Sequence, residues 1–119
     1  MAEKPLLECC FLVPTRRDRN LSDGKPHSRA AWKWLDDQLF DFGGATRAIA
    51  LFEGWYRDPE TDKPVRDLSR KYFVALRRQE TARLRSLLAE VCRVFQQKCI
   101  YLSIAGKVEF IREADDDAQ

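Results

Sequence analysis

Histidine, glycine, proline and long apolar runs are all scarce in this chain of 119 residues, and each shortage excludes something. The single histidine, His27, and four cysteines (Cys9, Cys10, Cys92, Cys99) with no Cys-x-x-Cys spacing give no zinc pattern, so no metal site is expected. Five glycines and five prolines are too few for a fibrous or disordered chain. No window approaches the ~18 consecutive apolar residues of a membrane-spanning helix, so no membrane contact is expected. Gly-x-Ser-x-Gly, a phosphate loop and a dinucleotide fingerprint are absent as well, which leaves no cofactor to predict. The start, Met1-Ala-Glu-Lys-Pro5, carries mixed charge and no small-residue cleavage site, so a signal peptide is not expected. The expected address is the cytoplasm, with the thiols reduced.

What the chain does contain is 45% hydrophobic and 34% charged residues, the proportions of one compact domain. Leu6 to Val13 is a β-compatible apolar run ended by Pro14, a first strand. Residues 14–28 are polar and form a long loop, and Ser28 is placed to cap a helix. From Arg29 to Phe42, Ala31, Trp34, Leu35, Leu39 and Phe42 recur at helical spacing before Gly43-Gly44. Thr46–Tyr56 and Arg70–Arg77 read as a hairpin around the turn cluster 58–64. Leu84, Leu87, Leu88, Val91 and Phe95 stripe a second helix over 81–97. Cys99–Ile104 is a fourth strand, followed by a turn or bulge at Gly106-Lys107 before Val108–Ile111. The order β-α-β-β-α-β predicts an α+β ferredoxin-like sandwich, a four-stranded antiparallel sheet with two helices on one face. Residues 1–112 form this domain, and 113–119 an acidic tail.

Alternation assigns the face left open by the helices. It collects Leu6, Leu12, Ile49, Leu51, Phe73 and Tyr101, joined by Trp55. So apolar a face calls for a cover, and a second copy of the chain is the predicted partner, giving a homodimer.

Two constellations have chemical potential. Arg16 and Arg17 in the first loop, with His27 before the first helix, suit a small anionic ligand, the alternative being a solvated loop. Glu53-Gly-Trp-Tyr-Arg-Asp-Pro59 and Arg66-Asp-Leu-Ser-Arg70 flank the hairpin turn. They are placed to bring Trp55, Tyr56, Arg57, Asp58, Asp67 and Arg70 together, as a grip for a small molecule or simply as hairpin-end structure. Arg70-Lys-Tyr-Phe-Val-Ala-Leu76 only loosely echoes an RNA-recognition strand, lacking its glycine and one stacking aromatic.

Phe11-Leu-Val-Pro-Thr-Arg-Arg-Asp18, Phe42-Gly-Gly44, Gly54-Trp-Tyr-Arg-Asp-Pro59 and Phe95-Gln-Gln-Lys-Cys-Ile-Tyr101 together resemble small bacterial ferredoxin-like proteins of uncharacterised function, over about residues 9–111. The resemblance implies the same fold and carries no activity. The first functional expectation is therefore a non-catalytic dimeric binding or regulatory module. The alternative is a cofactor-independent enzyme acting on a small anionic or aromatic substrate in a pocket between sheet and loops, and the second alternative is an RNA-binding module. Charge sharpens the search. Four of the 19 acids lie at Glu113, Asp115, Asp116 and Asp117, so residues 1–112 set 21 basic against 15 acidic side chains.

Overall fold

The computed structural model describes residues 5–58 and 60–113; the acidic stretch 114–119 lies outside them. Strand β1 (Leu7–Pro14) runs at the centre of the sheet, antiparallel to both β4 (Pro64–Leu76) and β5 (Ile100–Ile104). Its alternation is the one expected of a strand buried on one side: Cys9, Phe11 and Val13 face the helices and are fully buried. Helix α1 (Arg29–Asp41) starts where Ser28 Oγ accepts the Ala31 N–H at 3.2 Å, and stops at Gly43 and Gly44, whose φ of 98° and 114° suits residues without Cβ. Helix α2 (Thr81–Val94) buries Leu84, Leu88, Val91 and Cys92 against the same sheet face. Both helices lie on that face, and the Phe11 ring stacks on Tyr72 with centroids 5.1 Å apart.

The sheet has six antiparallel strands, not the expected four, in the order β2-β4-β1-β5-β6 with β3 also paired to β4. One extra strand is β6 (Lys107–Ile111), a hairpin partner of β5. The other arises because the expected strand 46–56 is broken into β2 (Thr46–Arg47) and β3 (Phe52–Arg57), with residues 48–51 leaving the ladder. Strand β4 begins at Pro64 rather than Arg70. Its first half pairs with β3 in an arm whose residues are largely exposed on the helix side, so burial imposes no alternation there for a sequence pattern to display.

The break also corrects the predicted open face. Leu12, Phe73 and Tyr101 do lie there, in two neighbouring rows, since Leu12 pairs with Tyr101 and Cys10 with Phe73. Leu6, just ahead of β1, is exposed. Ile49 and Leu51 are outside any strand, Ile49 fully exposed in a bend. Trp55 pairs with Arg66 and sits on the helix side of the arm; the open face receives Phe52, Gly54 and Tyr56 instead, because these pair with Ser69, Asp67 and Val65. No helix of the described residues is long and apolar enough to cross a membrane.

Phe11 is fully buried in the core and stacked on Tyr72. Phe11→Ala is expected to cost about 3–5 kcal/mol of folding stability in a urea titration, the range for truncating a buried phenylalanine.

Candidate functional site

The loop from Thr15 to His27 is tied down at both ends of its path. The Thr15 N–H donates to the Leu68 carbonyl at 2.8 Å, the Asp18 N–H to the Gln96 carbonyl at 2.9 Å, and Gln97 Nε2 to the Arg16 carbonyl at 2.7 Å. These bonds hold the loop between the β3–β4 arm and the turn before β5. Asn20 crosses to the arm, where its Nδ2 donates to Asp58 Oδ2 at 3.4 Å.

Most of the side chains picked from the sequence have structural partners. His27 Nε2 lies 2.8 Å from the Pro14 carbonyl, an acceptor, so this nitrogen carries the proton. Its ring packs edge-on against Phe95 and Trp32, with centroids 4.7 and 5.4 Å away, and burial lowers its pKa. Arg17 forks onto Asp23 with bonds of 2.7 and 3.0 Å. Arg16 is exposed, its Nη1 3.5 Å from the Gly24 carbonyl. Arg70 stacks on Trp32 at 3.7 Å, on the helix side. Arg57 points to solvent near Asp62, and buried Asp58 closes the arm's turn by accepting the Glu60 N–H at 2.8 Å. Trp55 stands at the arm's tip under Arg66, beside a shallow depression of about 390 Å³ shared with Tyr56, Arg57, Asp62 and Pro64. Arg57, Asp58 and Arg70 therefore do not converge: Arg57 and Arg70 share the helix-side face but lie at opposite ends of the arm, and Asp58 is in its turn.

The arm does bring together two residues grouped with them, Tyr56 and Asp67, on the open face. Asp67 sits opposite Gly54, so close that a Cβ on Gly54 would lie 2.8 Å from Asp67 Oδ1. Only glycine leaves room for the carboxylate to fold over β3, and a glycine inside a strand was the readable sign of such an approach. The Tyr56 phenol addresses the same carboxylate. Burial and the neighbouring Asp67 carboxylate push the phenol up to about 12, with Asp18 and Cys99 adding to the rise. Burial pushes Asp67 above the usual carboxylate range, the neighbouring Tyr56 phenol opposing it. Burial raises the Cys99 thiol as well, so it is protonated at neutral pH. Among the described ion pairs none involves Asp67. The result is a half-buried carboxylate capped by a neutral phenol and lacking a cationic partner, next to the exposed aromatic ring of Phe52. Such a site suits a cationic, partly apolar ligand rather than the expected anion.

No protein-family model matches the chain, and no curated protein matches it. Two solved structures share the fold. A phage SAM lyase in complex with S-methyl-5′-thioadenosine aligns with a TM-score of 0.67 at 13% identity, covering 94% of this chain and 93% of its own. A phage SAM lyase in the apo state aligns with a TM-score of 0.63 at 15% identity, covering 94% and 95%. This corrects the expectation of a non-catalytic binding module, because the similar structures are those of an enzyme.

The strain at Asp67 has a measurable sign. A carboxylate whose pKa is raised by folding destabilises the fold when ionised, and that penalty fades as pH falls through the raised pKa. Asp67→Asn is therefore expected to raise Tm by roughly 2–5 °C at pH 7, with the gap to the wild-type chain closing at acid pH in thermal melts.

Proposed function

We propose that this chain is a cofactor-independent enzyme that cleaves S-adenosylmethionine or a closely related adenosyl sulfonium. The observation that carries the reading is the half-buried Asp67 carboxylate, free of any described cationic partner and capped by Tyr56. A sulfonium is a cation with apolar substituents, which matches a carboxylate set among aromatic rings. The likeness in fold to a SAM lyase supports the substrate class.

The chemistry such a site can run needs no water, metal or redox partner. The substrate's own carboxylate oxygen bonds to Cγ as the Cγ–S bond breaks. Both electrons of that bond stay on sulfur, leaving a neutral thioether and a lactone whose one remaining charge is that of its α-ammonium group. Two opposite charges cancel in the transition state, so a partly desolvated site favours it over the ionic ground state. Asp67 would recognise the sulfonium, and Tyr56, protonated at neutral pH, would act as a hydrogen-bond donor rather than a base.

The architecture this reading adopts is the ferredoxin-like sandwich with a hairpin strand added beyond β5, which the order β4-β1-β5 supports. The partner is a second copy covering the open face, where Phe52, Val108 and Phe110 are exposed beside Leu12, Phe73 and Tyr101. The address is the cytoplasm, in keeping with four free thiols.

Incubation with S-adenosylmethionine should yield S-methyl-5′-thioadenosine by liquid chromatography, and intact substrate after prolonged incubation would reject the reading. Asp67→Asn is expected to lower kcat/KM roughly 10- to 100-fold, the worth of one charge-assisted contact. Phe73→Glu is expected to turn a dimer into a monomer in light scattering; an unchanged mass would remove the open face as the interface.

A further inference from the structure

On the open face, two side-chain rows away from Asp67, stands a cation that is equally unpaired. Lys71 shares that face with Asp67, four positions along β4. Its Nζ is not left to swing in water: it lies 4.8 Å from the centroid of the Phe52 ring and 5.3 Å from that of Phe73. Phe52 pairs with Ser69, and Gly54, the next residue of β3 on this face, pairs with Asp67. Lys71 is thus two side-chain rows from Asp67, about 13 Å along the strand, and the Phe52 ring that its ammonium touches fills the row between them. Among the described ion pairs Lys71 has no carboxylate partner, and the two charges are not joined to each other. Buried Ser69 lies between them.

A fixed anion and a fixed cation on one aromatic-lined face complement a zwitterion with its own charges a short chain apart. We propose that Lys71 is the residue that selects a carboxylate-bearing substrate, gripping the carboxylate of the aminobutyryl chain while Asp67 faces the cationic sulfur. This rests on the reading above and deepens it. A sulfonium and its carboxylate are separated by a three-carbon chain, and the reach of the lysine side chain makes up the rest of the distance between the two residues. Holding one carboxylate oxygen leaves the other free. Lys71 is thus a positioning and specificity residue, distinct from the recognition of the cation.

Two unreactive or poorly reactive probes separate the roles. S-Adenosylhomocysteine has the carboxylate without the sulfonium, and decarboxylated S-adenosylmethionine has the sulfonium without the carboxylate. In calorimetric titrations Lys71→Met is expected to weaken S-adenosylhomocysteine about 10-fold and to leave the decarboxylated sulfonium unchanged, the size of effect expected for a contact to a charged group. Asp67→Asn is expected to do the reverse. If Lys71→Met weakens both probes alike, or neither, the inference fails while the cleavage assay still decides the reading beneath it. If the wild-type chain binds neither probe and leaves S-adenosylmethionine intact, both fall together. Lys71→Arg, which keeps the charge, is expected to restore most of the affinity for S-adenosylhomocysteine; no rescue would assign the Met effect to lost packing against Phe52 and Phe73.

Discussion

The register of one strand, β4, organises this molecule. Its 13 residues bond to β1, β2 and β3 in turn, and a strand shows successive residues to opposite faces. Phe11 opposite Tyr72 and Cys9 opposite Val74 therefore turn the even-numbered positions toward the helices, where Tyr72, Val74 and Leu76 are buried. The odd-numbered positions Asp67, Ser69, Lys71 and Phe73 must then share the other face. A slip of one residue would drive Lys71 into the core and Tyr72 out of it, so burial of the apolar set holds the charged set in place.

The two faces treat charge differently. On the helix side and in the loop several cations have carboxylate partners: Arg17 forks to Asp23, and Arg85 meets Glu109 with bonds of 2.6 and 3.1 Å. On the open face Asp67 is half-buried with only a phenol for company, and Lys71 rests on aromatic rings. A fold governed by stability alone gains nothing by desolvating a carboxylate and giving it no cation. A half-buried carboxylate without a described cationic partner marks where a ligand can complete the set.

Position within the fold explains how the site combines rigidity and access. The first loop is bonded to Leu68 on one side and Gln96 on the other, and Asn20 reaches Asp58, so the arm carrying Tyr56 is braced against the turn that leads to β5. His27 serves that bracing: its proton is held by the Pro14 carbonyl and its ring by Phe95 and Trp32. The chain's one histidine thus anchors the loop instead of moving protons. That leaves electrostatics and desolvation as the tools of the site.

The sequence by itself determined the elements whose signals are local or enforced by burial on both sides. Ser28 and Gly43-Gly44 bound α1 through capping chemistry that a helix needs wherever it sits. Cys9, Phe11 and Val13, like Ile100, Leu102 and Ile104, alternate because β1 and β5 must feed one core. Helix α2 was legible from its stripe for the same reason. Only the tertiary structure decided the break between β2 and β3, the early start of β4, and the face on which Trp55 and Tyr56 lie. The arm projects beyond the helices, no core selects among its side chains, and its faces are set by the pairing of Gly54 with Asp67 and Tyr56 with Val65. Pairing is a relation between distant residues, which no pattern along one strand records. The Tyr56–Asp67–Lys71 arrangement follows from that pairing: its members were visible in the chain, but their shared face was not.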